Sequence, residues 1–396
     1  MKLRKTAPLL ALLMTAVLGG ACSSGAVERE YGSVDAPDPI PRGDIVDFAP
    51  WTTDYLPLAD NTTSLLRIRY ESSSGLDADS HTVSAVVAVP VGAPPLGGWP
   101  VAAVAHGTTG ITQDCAPSSN PGLSGLAATV AAFVDRGYVV IATDYQGLGE
   151  PDTHPYLEPK TAAYNVIDSV RAARNLVPGA SGRWIAYGGS QGGQAVWAAN
   201  EESVTYGAGL DLTAVVALSP AADLTALGSA AENGTLTTEQ LSVYPLIVAG
   251  MTTAYPDVEA QSFIHGTPLD SLPTLQSCTG ANQRDKDRVL NESKPTDFEP
   301  ADQSATDRLN SWLEAIRLPK AIAPAPMLVI YGGNDGLVLP GWVEGATERA
   351  CSQGASIDLL QQPMAGHAVN PVPALDWLAA RVDNRPRGEQ CPGILQ

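Results

Sequence analysis

Basic residues are scarce in this chain of 396 residues. It contains 23 Lys and Arg against 42 Asp and Glu, which gives a formal net charge of −19. Residues 1–21 hold three of the basic residues and no acidic one, so a chain without them carries a net charge of −22. An excess of negative charge repels phosphates and acidic lipids. The composition therefore argues against nucleic acid and anionic membrane surfaces as partners and favours neutral substrates.

An apolar run near the N-terminus is too short to remain in a membrane as a spanning helix. Basic residues at positions 2–5 precede this run, which covers residues 7–18, and small residues follow it up to Ala21. This order is typical of a secretory signal peptide, predicted here as residues 1–21. We therefore expect an exported protein.

Cys22 directly follows the predicted signal peptide. This position resembles a bacterial lipoprotein processing site, in which the first residue after cleavage carries the lipid. We expect a lipoprotein of the cell envelope that contacts the membrane only through lipid at Cys22, with a soluble secreted protein as the alternative. Residues 22–50 are polar and proline-rich and predict a tether.

Cysteine is also scarce, with five residues in the whole chain. No Cys-x-x-Cys pair is present and the cysteines are dispersed, so no metal site is predicted. Besides Cys22, four cysteines remain that could form two disulfide bonds in three possible pairings. In one of them, Cys351–Cys391 would tie the C-terminal tail to the last part of the fold, and Cys115–Cys278 would join a loop to the long insertion described below.

From residue 65 onward, strand-like and helix-like segments alternate without internal repeats. This alternation predicts an α/β protein with a mostly parallel sheet and helices on both faces. The predicted strands begin with an antiparallel pair and are residues 65–71, 83–90, 100–105, 138–143, 183–187, 214–219 and 327–331. The clearest predicted helices are residues 124–136, with Ser124 as the N-cap, 194–200 and 374–382.

About a hundred residues separate the last two predicted strands, too many for a simple connection. Helical spacing of apolar residues recurs within this stretch, as at Leu309, Leu313 and Ile316. We predict that residues 222–318 form a helical cap inserted over the sheet, and that residues 51–221 and 319–396 form the core. A helical excursion beside the sheet is the alternative.

Gly188-Gly189-Ser190-Gln191-Gly192 fits the G-x-S-x-G pattern of a nucleophile elbow. A predicted strand precedes the motif and a predicted helix follows it. In this context the turn holds the serine hydroxyl out above the sheet edge. Glycines around the serine relieve the crowding of such a turn. The motif predicts Ser190 as a nucleophile, and a Gly-Ser loop that merely closes a strand is the alternative.

A serine hydroxyl is a weak nucleophile until a base takes its proton and a carboxylate orients that base. In sites of this kind the chain order is serine, acid, histidine. Asp335 follows a predicted strand, and His367 is the one histidine of five that lies after Asp335. We therefore predict Ser190, Asp335 and His367 as the catalytic group, with Asp358 and Asp376 as rival carboxylates.

The oxyanion formed by attack on a carbonyl needs two hydrogen-bond donors. The backbone amide of Gln191 is the predicted first donor because it follows the nucleophile. Thr108 is the predicted second donor because it lies in the turn after the strand 100–105, and Thr109 is the alternative. Three other polar residues are predicted to order loops rather than to act in catalysis: His106, Asp144 and His154.

Together these motifs resemble the secretory lipases of the α/β-hydrolase superfamily, which are related to fungal lipase A-type enzymes. The resemblance covers about residues 50–385 and points to a bacterial exported member. The motifs that carry it are His106–Gly110, Asp144–Gly149, His154–Tyr156 and Gly189–Gly193, with Asp335 and His367.

The resemblance implies an α/β-hydrolase fold, a helical cap over an acyl-binding tunnel, hydrolysis of small-molecule or lipid esters, and no cofactor. It also implies that Cys115-Ala116-Pro117 begins a disulfide-anchored loop. Fungal relatives carry an acidic residue in the oxyanion loop, where this chain has only threonines and glycine. A peptidase or acyltransferase with the same triad, or a ligand-binding lipoprotein without activity, remains an alternative.

Overall fold

Nine strands form one mixed sheet in the computed structural model, which describes residues 41–382 and Cys391. The predicted signal peptide and the predicted lipidation site at Cys22 lie outside the described residues. In chain order the strands are β1 Ile45–Pro50, β2 Thr62–Ser73, β3 Ser80–Pro90, β4 Trp99–Ala105, β5 Val139–Thr143, β6 Ala180–Gly189, β7 Asp211–Leu218, β8 Met327–Gly332 and β9 Ile357–Gln362.

The strands are arranged in the order β1-β2-β3-β5-β4-β6-β7-β8-β9. β1, β2 and β3 pair antiparallel and β3 joins β5 antiparallel, whereas every pairing from β5 to β9 is parallel. The prediction of a mostly parallel sheet with an opening antiparallel pair is confirmed. The central strands are buried, which explains their near-continuous apolar runs in the sequence.

Helices cover both faces of the sheet. In β4, Val101, Ala103 and Ala105 pack into one apolar core, whereas Ala102 and Val104 pack into the other. No helix of the described residues is long and apolar enough to cross a membrane. The helices are α1 Leu56–Asp60, α2 Ala127–Val134, α3 Pro159–Leu176, α4 Gln191–Glu202, α5 Ala226–Glu232, α6 Thr238–Ala254, α7 Gly266–Asp270, α8 Leu272–Leu275, α9 Gln283–Glu292, α10 Gln303–Ile316, α11 Pro340–Ser352 and α12 Val372–Val382.

The predicted tether extends too far along the chain. Its last residues form β1, which pairs with β2 at the edge of the sheet. Most side chains of β1 are exposed, so no apolar alternation marks the strand in the sequence. Backbone hydrogen bonds to β2 hold the segment in place, and these depend on the partner strand rather than on local composition.

The predicted helix 124–136 is shorter than its sequence pattern indicates. Ser124 has a positive φ of 52° within a 3₁₀ turn, whereas an N-cap residue has an extended backbone. The helix proper, α2, begins at Ala127 and ends at Val134. The prediction of Ser124 as its N-cap is therefore wrong.

The long insertion leaves the sheet after β7 and returns to it before β8. Its two ends lie side by side, because Leu318 donates a backbone hydrogen bond to Ala222 O at 2.7 Å. All of residues 222–318 are described, and they contain helices α5 to α10 and no strand. A capping box of Thr237 and Gln240 begins α6, and the Thr237 hydroxyl also donates to Gly336 O at 2.7 Å. The insertion is thereby attached to the loop after β8.

Candidate active site

Ser190 occupies the sharp turn between β6 and α4. Its backbone has φ 56° and ψ −117°, which L-residues rarely adopt. Glycines make the turn possible: a Cβ atom on Gly192 would overlap the backbone oxygen of Ala105 and lie 2.7 Å from His106 O. The amide of Ser190 donates to Leu218 O at 2.8 Å, which ties the turn to β7. The expected strand, turn and helix are therefore all present around the serine.

His367 lies between Ser190 and Asp335. Its Nε2 is 2.8 Å from Ser190 Oγ, and its Nδ1 is 2.8 Å from Asp335 Oδ2. The Asp335 side chain is fully buried, whereas that of His367 is 27% exposed. The three residues are far apart in the chain, and the structure brings them together.

Backbone contacts fix the acid and the histidine. The other oxygen of Asp335, Oδ1, accepts hydrogen bonds from the amides of Leu337 and Val338 at 2.9 and 3.0 Å. Ser219 Oγ, at the end of β7, donates to His367 O at 2.9 Å. The carboxylate is therefore held by its own turn and the histidine by a neighbouring strand.

The two rival carboxylates lie elsewhere. Asp358 belongs to β9, and its Oδ2 accepts from Trp377 Nε1 and from Arg381 at 2.6 Å each. Asp376 is exposed on α12. Neither contacts His367 within the described part of the chain.

Thr108 lies in the loop that follows β4, called here the Thr108 loop (residues 106–111). A Cβ atom on Gly107 would lie 3.8 Å from Ser190 Cβ, so this loop passes directly beside the serine. Thr108 Oγ1 is 2.7 Å from the hydroxyl of the buried Tyr156. In the described residues, neither the Thr108 amide nor the Gln191 amide donates to another protein group.

The side chain of Gln191 is buried against His154. Gln191 Nε2 is 2.9 Å from His154 Nε2, and His154 Nδ1 is 2.8 Å from Gln146 O. Burial lowers the pKa of His154 to about 4, so its ring is neutral at pH 7. A neutral ring that donates through Nδ1 accepts through Nε2, which assigns the amide nitrogen of Gln191 as the donor. This contact was not foreseen from the sequence.

Asp144 and His106, predicted from the sequence to order loops, are buried in contacts of their own. Asp144 accepts from Ser84 Oγ at 2.6 Å and from the Ser118 amide at 2.8 Å, and burial raises its pKa to about 6. His106 contacts the carbonyl oxygens of Gly107 and Asp144, and burial lowers its pKa. Neither side chain contacts Ser190 or His367 in the described part of the chain.

A cavity of about 520 Å³ opens above Ser190 and His367. Its buried end is apolar and includes Leu246 and Leu275, whereas exposed polar residues such as Glu239 and Asp287 surround its mouth. Most of its lining belongs to the insertion. The full lining is Thr108, Ser190, Thr238, Glu239, Ser242, Val243, Leu246, Leu275, Ser277, Thr279, Gln283, Lys286, Asp287, Leu290, Leu337 and His367.

Two disulfide bonds connect distant parts of the chain. Cys115 pairs with Cys278, and Cys351 pairs with Cys391. Disulfide bonds are typical of exported proteins. Among the described residues, one group of side chains is close enough to share a metal ion, Asp114 with Cys115 and Cys278, and both of its cysteines are used in the disulfide bond.

A mostly parallel sheet with a strained serine between strand and helix, followed in the chain by an acid and a histidine, defines the α/β-hydrolase class. Residues 126–390 match the sequence model of the secretory lipase family. The chain belongs to that family. No curated protein matches the sequence.

Solved structures of three proteins have a similar fold. Lipase A of Candida antarctica in its closed state is 15% identical, with a TM-score of 0.71, and the match covers 89% of this chain and 85% of that one. A protein of Legionella pneumophila is 19% identical, with a TM-score of 0.67 and coverage of 86% and 96%. The rice cell wall degrading esterase LipA of Xanthomonas oryzae is 21% identical, with a TM-score of 0.65 and coverage of 87% and 100%.

Proposed function

We propose that this protein hydrolyses neutral carboxylic esters through an acyl-enzyme formed on Ser190. The observation that carries the proposal is the continuous contact from Ser190 Oγ through both ring nitrogens of His367 to Asp335. Membership of the secretory lipase family supports the same chemistry.

In the proposed mechanism, Ser190 Oγ attacks the ester carbonyl carbon while His367 Nε2 takes the hydroxyl proton. The tetrahedral intermediate collapses when the bond to the alcohol breaks, and His367 returns the proton to the leaving alcohol oxygen. A water molecule, deprotonated by His367, then attacks the acyl carbon. The second tetrahedral intermediate releases the acid when the bond to Ser190 Oγ breaks and His367 returns the proton to that oxygen. The same residue therefore acts as base and acid in both halves of the reaction.

Asp335 sets the tautomer of His367. Its buried Oδ2 accepts a hydrogen bond from Nδ1–H, which leaves the Nε2 lone pair directed at Ser190 Oγ. The negative charge of Asp335 also stabilises the imidazolium that forms during attack. Its second oxygen is already occupied by two backbone amides, so rotation of the carboxylate would break those bonds.

We assign the backbone amides of Gln191 and Thr108 as the oxyanion donors. Support comes from their lack of another acceptor in the described residues and from the close approach of the Thr108 loop to Ser190. Gln191 also begins α4, where free amides and the helix dipole favour negative charge. Removal of one such donor typically costs about 10²–10³ in rate.

The insertion at residues 222–318 is proposed to act as the cap that selects the substrate. An acyl chain would occupy the apolar end of the cavity beside Leu246 and Leu275, and the alcohol would face the polar mouth. A lipase and an esterase are both among the proteins of similar fold, which supports an ester substrate of either kind. The excess of acidic residues favours uncharged esters.

We further propose that the protein is anchored in the cell envelope by lipid on Cys22. The order of residues at the N-terminus supports this proposal. Metabolic labelling with a radioactive fatty acid tests it: label is expected in the full chain and not in a Cys22→Ser variant. Equal secretion of both forms into the medium without label would contradict it.

Initial rates on p-nitrophenyl esters from acetyl to palmitoyl test the proposed reaction. We expect hydrolysis, with kcat about 10⁶ lower in Ser190→Ala. A loss below tenfold would refute the role of Ser190. The chain length that gives the highest kcat/KM separates a lipase from a short-chain esterase. Cleavage of peptides, or acyl transfer to an added alcohol in place of hydrolysis, would support the alternative activities of the same triad.

A further inference from the structure

A short segment of the insertion, residues 276–279, lies alongside the Thr108 loop. The amide of Thr279 donates to Thr109 O at 2.8 Å, and the amide of Ile111 donates to Gln276 O at 3.4 Å. The Thr279 side chain adds a further bond, because its Oγ1 donates to Thr108 O at 3.0 Å. Three hydrogen bonds therefore join the segment to the loop.

Two further links reinforce this contact. The disulfide bond Cys115–Cys278 links the segment covalently to the turn just after the Thr108 loop. In addition, Lys286 Nζ of α9 donates to Ser277 O at 2.7 Å and to Cys278 O at 3.1 Å. The segment thus has little freedom to move relative to the loop.

We propose that Thr279 is a positioning residue that holds the Thr108 amide in place for the oxyanion. The proposal rests on the proposed function, since it concerns one of the two assigned donors. Thr279 makes a side-chain bond to the carbonyl of Thr108 and a backbone bond to the carbonyl of Thr109. It therefore fixes the two peptide units that directly follow the one carrying the Thr108 N–H. The hydroxyl of Tyr156 is hydrogen-bonded to the Thr108 side chain.

The physical requirement is geometric. An oxyanion donor must lie about 3 Å from the developing charge, and a small rotation of the peptide removes the bond. The Thr108 loop contains Gly107 and Gly110, and such residues permit other backbone conformations unless external contacts restrict them. Thr279 restricts the loop from a position 171 residues away in the chain.

This assignment gives the insertion two separate roles. Helices α6 and α9 line the cavity, and residues 276–279 support a proposed catalytic group. Ser277 and Thr279 of that segment also form part of the cavity wall. Any opening of the insertion that lets a large ester enter must leave the disulfide-linked segment in place, because its departure would release the Thr108 loop.

The test compares Thr279→Val with Thr279→Ser on one p-nitrophenyl ester. Valine keeps the size of the side chain and removes the hydroxyl, whereas serine keeps the hydroxyl. We expect kcat to fall about tenfold in Thr279→Val, the rate equivalent of one hydrogen bond, with KM within twofold of the wild-type value. Thr279→Ser is expected to retain kcat within about twofold, because it preserves the bond.

Thr274→Val is the matched control. Thr274 belongs to the same insertion, it does not line the cavity, and its hydroxyl makes no hydrogen bond in the described residues. Its kcat and KM are expected to equal those of the wild type. Thermal unfolding and thiol titration of each variant establish that the fold and both disulfide bonds are intact. If Thr279→Val does not fold, Thr279→Ala gives the same test with less crowding.

The outcomes separate the two proposals. A wild-type protein that hydrolyses no ester contradicts the proposed function. An active wild type whose folded Thr279→Val or Thr279→Ala variant keeps its kcat overturns the positioning role alone. A rise in KM at unchanged kcat also overturns that role, since it would assign Thr279 to substrate binding. A kcat loss that Thr279→Ser fails to rescue contradicts the requirement for the hydroxyl.

Discussion

The two sides of the site are supported in different ways. On the triad side, Ser190, Asp335 and His367 follow strands β6, β8 and β9, and contacts with the sheet and its loops hold them. On the oxyanion side, the Thr108 loop depends on Tyr156 and on Thr279 of the insertion.

This difference has a practical meaning. The insertion contacts the triad side as well, where Thr237 bonds to Gly336 O beside Asp335. The bonds to the triad residues themselves come from the sheet and its loops, whereas the geometry of one oxyanion donor depends on the insertion. Substitutions on the triad side should remove the chemistry or the fold, and those on the oxyanion side should reduce the rate without abolishing it. Four predictions follow this contrast from the largest effect to the smallest.

Asp335→Asn tests the triad side most strongly. The amides of Leu337 and Val338 keep the asparagine oxygen at the position of Oδ1, so its NH2 group faces Nδ1 and donates to it. His367 is then held in the wrong tautomer and kcat should fall about 10⁴. Asp358→Asn is the matched control, since Asp358 contacts Trp377 and Arg381 instead of the histidine. Its kcat should stay near the wild-type value. If kcat fell further in Asp358→Asn than in Asp335→Asn, Asp358 rather than Asp335 would be the carboxylate that orients His367.

Gly192→Ala tests how tightly the elbow packs against the sheet. The added methyl group would overlap backbone atoms of β4, which cannot move without disturbing the centre of the sheet. We expect a loss of about 3 kcal/mol or more in the free energy of unfolding, measured with urea. Gly341→Ala is the control, because nothing lies within 4 Å of its added Cβ on α11. Equal stability of the two variants would contradict the packing.

His154 is buried against Gln191, whose backbone amide is one of the assigned oxyanion donors. The burial of His154 should make the stability of the protein depend on pH. Burial lowers the pKa of His154 from 6.5 to about 4, so the unfolded chain takes up a proton first as the pH falls. The stability that neutral His154 provides is complete above pH 6.5 and is lost as the pH falls towards 4.

Urea unfolding at pH 7 and pH 5 measures this effect. The stability difference between the wild type and His154→Gln should be about 2 kcal/mol smaller at pH 5. The comparison with the variant is necessary because the raised pKa of buried Asp144 acts in the opposite direction over a similar range. A difference that does not change with pH would contradict a neutral His154.

Tyr156→Phe should give the smallest effect. It removes the bond to Thr108 Oγ1 but leaves Thr279 in place, so kcat should fall about threefold to tenfold. Tyr255→Phe is the control, since the Tyr255 hydroxyl makes no hydrogen bond in the described residues. Steady-state kinetics of both variants provide the measurement. An unchanged kcat in Tyr156→Phe would contradict the role of Tyr156 in holding Thr108.

Much of the triad side could be predicted from the sequence. The strands that carry Ser190 and Asp335 are buried runs with clear boundaries, and the serine motif is local in the chain. His367 followed from chain order, since it is the one histidine after Asp335. The strands and the serine motif are local patterns, and the assignment of His367 depends only on the order of residues in the chain. A single sequence contains both kinds of information.

The oxyanion side and the sheet edge could not be predicted in the same way. Thr279 and Thr108 meet only when the insertion folds back over the sheet, and nothing near either threonine in the sequence indicates the contact. The bond between Gln191 and His154 depends on the burial of both side chains. Strand β1 depends on backbone pairing with β2, which its exposed side chains do not reveal. Each of these features arises from tertiary contacts rather than from local pattern.

The most direct measurement is the mass of the protein after brief reaction with a p-nitrophenyl ester at low pH, followed by peptide mapping. We expect an added acyl group on the peptide that contains Ser190, no such adduct in Ser190→Ala, and release of the acyl group when the pH is raised. An adduct on another residue, or ester hydrolysis that persists in Ser190→Ala, would contradict an acyl-enzyme on Ser190.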